Sequence, residues 1–243
     1  MKIGIIGAMD IEVSHLVGEL ANPVVQKHMG MTFNEGLLNG TPVVVVMCGD
    51  GKVNAAVCAS VLIDRYGVTA VINTGVAGSL DARIDIGDLV VSTDAVHHDM
   101  DVSALGYAPG QVPGMDTLSF AADEGLRTIV VRVVRKVAPQ IAVFEGRVVS
   151  GDQFVGSPER KEWIVNTFGG LCCEMEGAAI AHVCHIAHVP FVIVRTISDK
   201  ADGSAEMDYP TFKIAAARLC AAIVERCVAS AEVEASADGR EIG

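Results

Sequence analysis

The feature that most constrains this chain is a regular alternation of short aliphatic runs with segments of helical spacing. Apolar runs at 2–6, 41–48, 70–74, 89–94, 144–150, 171–174 and 191–197 have the length of buried strands. Between them, residues 11–20, 52–66, 122–137, 159–167, 178–188 and 209–229 read as helices, with Ala55, Ala56, Ala59 and Leu62 a clear example of the spacing. Residues 24–38 read as strands, and Asn39-Gly40 just before 41–48 is a hairpin signal. The run at 70–74 is expected to end in a small-residue turn, GVAGSL, and 97–119 reads as a long irregular stretch. Such alternation predicts an α/β fold whose sheet is covered on both faces. Composition agrees: 51% of the 243 residues are hydrophobic but only 5% are aromatic, so the core is aliphatic. No linker or repeat divides residues 1–229, which predicts a single domain, followed by a flexible tail over 230–243 rich in Ala, Glu and Ser.

Charge narrows the partners. The 18 basic and 30 acidic residues give a net charge of −12, the wrong sign for neutralising phosphates along a nucleic acid. A small-molecule ligand is therefore expected, with no nucleic-acid partner. No apolar run is long enough to cross a membrane, and the opening MKIGIIGAMDIE reaches Asp10 and Glu12 without a cleavage-site pattern. Seven cysteines, none in a CxxC pair, fit buried reduced thiols and a cytoplasmic location. Three decoys are set aside. GDGK at 49–52 lacks the first glycine and the Ser/Thr of a P-loop, because Val46 and Val53 stand there. His182, Cys184, His185 and His188 are better read as an ordinary helix than a metal site, and HHDMD at 97–101 has no ligand spacing of a known site. Gly75 and Gly78 read as permitting close backbone approach to a ligand rather than as a dinucleotide site, because GxGxxG is absent. No metal and no cofactor are expected.

The chemistry is expected at the carboxyl ends of the strands, where open α/β sheets bind ligands. Carboxylates follow three apolar runs directly: Glu12 after the first, Glu174 and Glu176 after the run at 171–174, and Asp199 after FVIVRTIS. In a strand-like ExE, Glu174 and Glu176 project from one face, and their mutual repulsion demands cations or donors. That pair reads either as a solvated strand end or as a pocket gripping hydroxyls, such as those of a ribose diol. Asp199 reads as the ion-pair partner of Arg195, as a helix cap, or as an acid whose burial keeps it protonated.

Taken together, MKIGIIGAM with Glu12, INTGVAG, HHDMDVSALGYAPGQVPG, SGDQFV, EMEGAAIAHVCH and VRTISD strongly resemble the bacterial 5′-methylthioadenosine/S-adenosylhomocysteine nucleosidases of the purine nucleoside phosphorylase superfamily. The resemblance runs from Met1 to about Cys227. It implies a single-domain nucleoside phosphorylase-like fold, a central twisted mixed β-sheet flanked by helices. It also implies hydrolysis of the N-glycosidic bond of methylthioadenosine and adenosylhomocysteine, with 5′-deoxyadenosine as a further candidate, in a homodimer. Matched position by position, Asp199 corresponds to the general acid that serves adenine nitrogen-7 and Glu12 to the base that activates water. Glu176 corresponds to the residue gripping the ribose hydroxyls, with Met175 against the sugar; Glu174 and Arg195 help hold the water. Phe154 corresponds to the ring stacked on adenine and Val155 to the backbone that reads its edge. Met9 and Tyr209 line the sugar and its 5′ substituent, and Val102, Leu105 and Pro113 lie on a loop donated to the neighbouring subunit. Two departures stand out. Val76 replaces a serine and Asn73 an arginine, which removes the donors a phosphate would need and favours water. Asp50 replaces an apolar residue beside the 5′ group and either favours a tail carrying an amine or turns away. Rival readings are a 6-amino-6-deoxyfutalosine nucleosidase, a purine nucleoside phosphorylase and a non-catalytic nucleoside-binding module.

Overall fold

The computed structural model describes the backbone of residues 1–238 and the side chains of 1–230. Strand β1 (Ile3–Gly7) lies at the middle of the sheet, between β4 (Thr41–Met47) and β5 (Ala70–Ser79), parallel to both. Beyond β4 the sheet continues antiparallel through β3 (Met31–Leu38) to the exposed edge strand β2 (Ala21–His28). On the other side, β5 pairs with both β9 (Cys172–Glu174) and β10 (Phe191–Asp199). The path β5–β9–β8–β6–β10 then returns to β5, with β6 at Leu89–His97 and β8 at Val143–Ser150. The mixed sheet thus closes on itself at one end into a small barrel, and its parallel strands bring several carboxyl ends to one rim.

Alternation along the strands explains the two-faced core. Ile6, Val44 and Val46 pack with Ala55, Cys58 and Leu62 of α2 (Lys52–Tyr66) and with α5 (Gly177–Ala187). Their neighbours Ile3, Ile5, Val43 and Val45 face the opposite way, towards α1 (Asp10–Gly18), α3 (Glu124–Val137) and α6 (Ala205–Asp238). Helix α4 (Pro158–Phe168) starts at Ser157, whose hydroxyl accepts from Arg160 N. The cysteines at 172 and 173 fall on opposite faces as expected, in separate apolar clusters, and all seven thiols are buried and unpaired.

Three boundaries differ from the sequence reading. Strand β5 does not turn at Thr74 but runs on through GVAGS, because its small residues let β9 and β10 approach from both sides. A short strand β7 (Phe120–Ala121) pairs with β6 at the end of the stretch expected to be irregular, which also holds a 3-10 turn, Ser103–Leu105. Helix α6 begins at Ala205 rather than 209; Asp202 and Ser204 open it, and Pro210 is tolerated near its start. The backbone of α6 extends to Asp238, and the remainder of the expected 230–243 tail lies outside the described residues. Among the described residues no helix is long and apolar enough to cross a membrane.

Candidate active site

At the rim formed by the carboxyl ends of β1, β5 and β10 lies a cavity enclosing about 460 Å³ with its open mouth. Eleven of the residues expected at the site line it: Met9 and Glu12 from the β1–α1 turn, Asp50, Val76, Phe154, Glu174 to Glu176, Arg195, Asp199 and Tyr209. Val155 lines an adjoining recess beside Asp199. Val102, Leu105 and Pro113 sit apart from this chain's own cavity, and Leu105 is 75% exposed.

Glu12 is buried to 1% exposure and held by backbone alone. Its Oε2 accepts from Ala8 N at 2.7 Å and Met9 N at 3.0 Å, and its Oε1 from Val76 N at 3.1 Å. The cause is local: Glu12 is the third residue of α1 and folds back over the helix start, as capping-box glutamates do. Burial pushes its carboxyl above the usual value, while Arg195 and the three N–H groups pull in the other direction.

Arg195, the largest fully buried side chain among the described residues, organises the wall beside Glu12. Its Nη2 donates to Glu174 and, at 2.6 Å, to Asn73 Oδ1; its Nη1 donates to Val76 O at 3.3 Å. Glu174 also accepts from Ser150 Oγ, Gly177 N and Glu176 N, so it is saturated and anchors the start of α5. Glu176 is left freer: it accepts from Gly51 N at 2.8 Å and lies 3.6 Å from Arg195. The ExE strand geometry expected from sequence holds only in part. Strand β9 ends at Glu174, Glu176 caps α5, and the two carboxylates converge through Arg195 rather than through a shared strand face. Burial and the Glu174 charge push Glu176 up to about 8. Arg195 keeps its proton because Glu174, Glu176 and Glu12 outweigh its burial. One cation facing three acidic side chains leaves carboxyl oxygens turned towards the cavity, an electron-rich wall suited to a cation developing there.

Asp199 closes the other end. A register shift between Ile197 and Asp199 re-aims the strand, and the carboxylate accepts from Ala201 N at 2.8 Å and Ser198 Oγ at 2.9 Å. Arg195 is engaged by Glu174, Glu176 and Asn73, which overturns the reading of Arg195–Asp199 as a simple ion pair. At 3% exposure, burial raises the Asp199 carboxyl above its ordinary value. At the mouth, Phe154 meets Tyr209 edge-on at 5.5 Å, and Tyr209 OH reaches Met9 Sδ at 3.3 Å.

The glycines at 75 and 78, expected to let the backbone approach a ligand, make room for the site's own charged side chains. At Gly75 a Cβ would collide with Arg195 Nη1 and come within 2.5 Å of Glu12 Oε1; at Gly78 it would lie 2.7 Å from Asp199 Oδ1. The run TGVAGS is the signal, a strand stripped of side chains where charged groups press against it. Gly75→Ala is accordingly expected to lower stability by about 1–3 kcal/mol through overpacking, readable in urea titrations, and to displace both Glu12 and Arg195. The histidines on α5 are structural: His182 stacks on Phe120 at 4.6 Å, and His185 touches the same ring. Among the described residues no group of three or more His, Cys, Asp or Glu is placed to hold a metal.

Residues 2–229 match the family model described as the phosphorylase superfamily. A 5′-methylthioadenosine/S-adenosylhomocysteine nucleosidase of Shewanella loihica is 41% identical over 227 residues, covering 92% of this chain and 97% of the relative. The fold is similar to the Neisseria meningitidis nucleosidase of the same name, solved with methylthio-immucillin-A, with a TM-score of 0.91 and 40% identity over 94% of this chain and 99% of that one. It is also similar to a futalosine hydrolase of Helicobacter pylori, with a TM-score of 0.87 and 35% identity over 94% and 97% of the two chains.

Proposed function

Because the chain belongs to the phosphorylase superfamily, we propose that its cavity hydrolyses adenine nucleosides bearing a 5′-thioether. The protein is an N-glycosyl hydrolase, and methylthioadenosine and adenosylhomocysteine are its substrates, yielding adenine and the 5′-thio-substituted ribose. The observation that carries this is the polarity of the cavity. A buried acid, Asp199, stands at one end, and a carboxylate-rich wall around Arg195 stands at the other.

Breaking the ribosyl–nitrogen bond leaves electron density on the purine and positive charge on the sugar. Asp199, whose carboxyl burial raises above its ordinary value, gives its proton to nitrogen-7 and so accepts the leaving-group charge. Glu12 takes the proton of the attacking water, which Arg195 and Glu174 help to orient. Glu176 accepts from the ribose hydroxyls, Met175 packs on the sugar, Phe154 stacks on adenine and the backbone at Val155 reads the base edge. Water is favoured over phosphate because Val76 offers no hydroxyl and Asn73 is spent on Arg195 and Ile6 O. Adenine release is therefore expected at equal rates with and without phosphate; a strict phosphate requirement would make the protein a phosphorylase, and saturable binding without release a nucleoside-binding module. The exposed Leu105, with Val102 and Pro113, completes the 5′ pocket of a second copy in a cytoplasmic homodimer.

Asp50 sets the preference for the 5′ tail. Its backbone carbonyl accepts from Asn54, while the residue lines the cavity near Tyr209, whose phenol feels its charge. A carboxylate there favours a tail bearing an ammonium group. Asp50→Ile is expected to shift the ratio of kcat/KM for adenosylhomocysteine over methylthioadenosine downward by about two- to fivefold, the worth of a solvent-screened ion pair. An unchanged ratio removes Asp50 from the site. The aminodeoxyfutalosine reading, favoured by the Helicobacter likeness, is separated by including that nucleoside in the same panel.

A further inference from the structure

Glu176 receives a single backbone hydrogen bond, from Gly51 N at 2.8 Å, so the placement of Gly51 decides where this carboxylate sits. Gly51 is the residue just before α2, with φ +92° and no side chain of its own to fix it. What fixes it comes from two other parts of the chain. Asp152, in the loop after β8, accepts from Lys52 N at 2.8 Å, and its Oδ1 lies 2.9 Å from where a Cβ on Gly51 would fall, too close for one. The backbone N–H of Asp152 in turn donates to Asp99 Oδ2 at 2.9 Å, just beyond β6. The loop closes when Lys52 Nζ meets Asp99 Oδ1 at 2.6 Å. Although burial pushes the Asp99 carboxyl up, the Lys52 ammonium and the Asp152 N–H hold it below its usual value, so Asp99 is ionised at neutral pH.

We propose that Asp152, Lys52 and Asp99 form a positioning clamp that holds the Gly51 N–H on Glu176 and thereby sets the grip on the sugar. The inference rests on the reading of Glu176 as the ribose-binding carboxylate. The clamp joins three segments remote in sequence: the start of α2, the end of β6 and the loop two residues before Phe154. Asp99 holds the backbone N–H of Asp152 while the Asp152 carboxylate holds Lys52 N, so the three groups restrain one another as a network. None of the three side chains lines the cavity, so each acts through Gly51.

The test compares a ligand that has a ribose with one that has none. In Asp152→Ala, kcat/KM for methylthioadenosine is expected to fall about three- to tenfold, the worth of one such hydrogen bond, while the Kd for free adenine stays within twofold. Asp152→Asn keeps an oxygen acceptor for Lys52 N and is expected to recover most of the loss; Asp99→Asn and Lys52→Met are expected to behave like Asp152→Ala. Equal losses for nucleoside and adenine would show a general loosening of the 151–156 loop and overturn the clamp, as would an Asp152→Ala enzyme with undiminished kcat/KM. Failure of the wild-type protein to release adenine would instead overturn the nucleosidase reading itself.

Discussion

Asp199→Asn is expected to slow adenine release by about 10²–10⁴, the usual worth of a placed general acid, while the protein still binds nucleoside. Asparagine matches the aspartate in shape and can accept from Ala201 N as Asp199 Oδ1 does, so the fold of the β10 terminus survives the change. It has no proton to give to the departing purine. The pH profile supplies an independent readout. Asp199 works in its protonated form, so activity falls as pH rises through its folded value, and burial has moved that value above 3.8. Glu12 works in its ionised form, so activity falls as pH drops through its value, which burial has moved above 4.5. The wild-type profile of kcat/KM, which reports the free enzyme, is therefore expected to be bell-shaped, with its acid limb set by Glu12 and its alkaline limb by Asp199. The Asn variant should lose the alkaline limb and keep the acid one. Substantial turnover by Asp199→Asn, or an alkaline limb that persists in it, would remove Asp199 from the acid role.

The parts of this site that local sequence carries were legible before any coordinates. Glu12 in the first turn of a helix, Asp199 at the end of an aliphatic strand and the bounds of α2 follow from spacing and propensity, which act over a few residues. The division of labour between Glu174 and Glu176 did not. It depends on Ser150, Arg195 and Gly51, between 19 and 125 positions away, and no local pattern marks which carboxylate each will meet. The same reason explains the misread end of β5. Small residues in GVAGS signal a turn by propensity, and only the arrival of β9 and β10 on both sides makes them a strand. Arg195 shows the limit most clearly: its nearest carboxylate in sequence is Asp199, yet its guanidinium points to Glu174, Glu176 and Asn73.

Arg195→Met is expected to cost about 3–5 kcal/mol of folding free energy, the loss typical when one partner of a buried ionic network is removed. Methionine fills much of the same space, so the cost is electrostatic rather than a cavity. Glu174 loses its charged donor, and Glu12 and Glu176 lose the cation that favours their ionised forms. The sign with pH follows from linkage. Without Arg195 the buried carboxyls have folded values raised further above 4.5, so the folded state binds more protons than the unfolded one, and stability falls as pH rises. The deficit relative to wild type should therefore be small in acid, where all the carboxyls are protonated in both states, and should grow as pH climbs through the wild-type folded values, which lie above 4.5 for Glu12 and at about 8 for Glu176. Urea titrations at a series of pH values read this directly. Removing a second charge, in Arg195→Met with Glu174→Gln, is expected to recover part of the loss, because the glutamine can still accept from Gly177 N while one buried negative charge disappears. A deficit independent of pH, or a double variant no more stable than the single one, would mean that Arg195 supports this site by packing and not by charge.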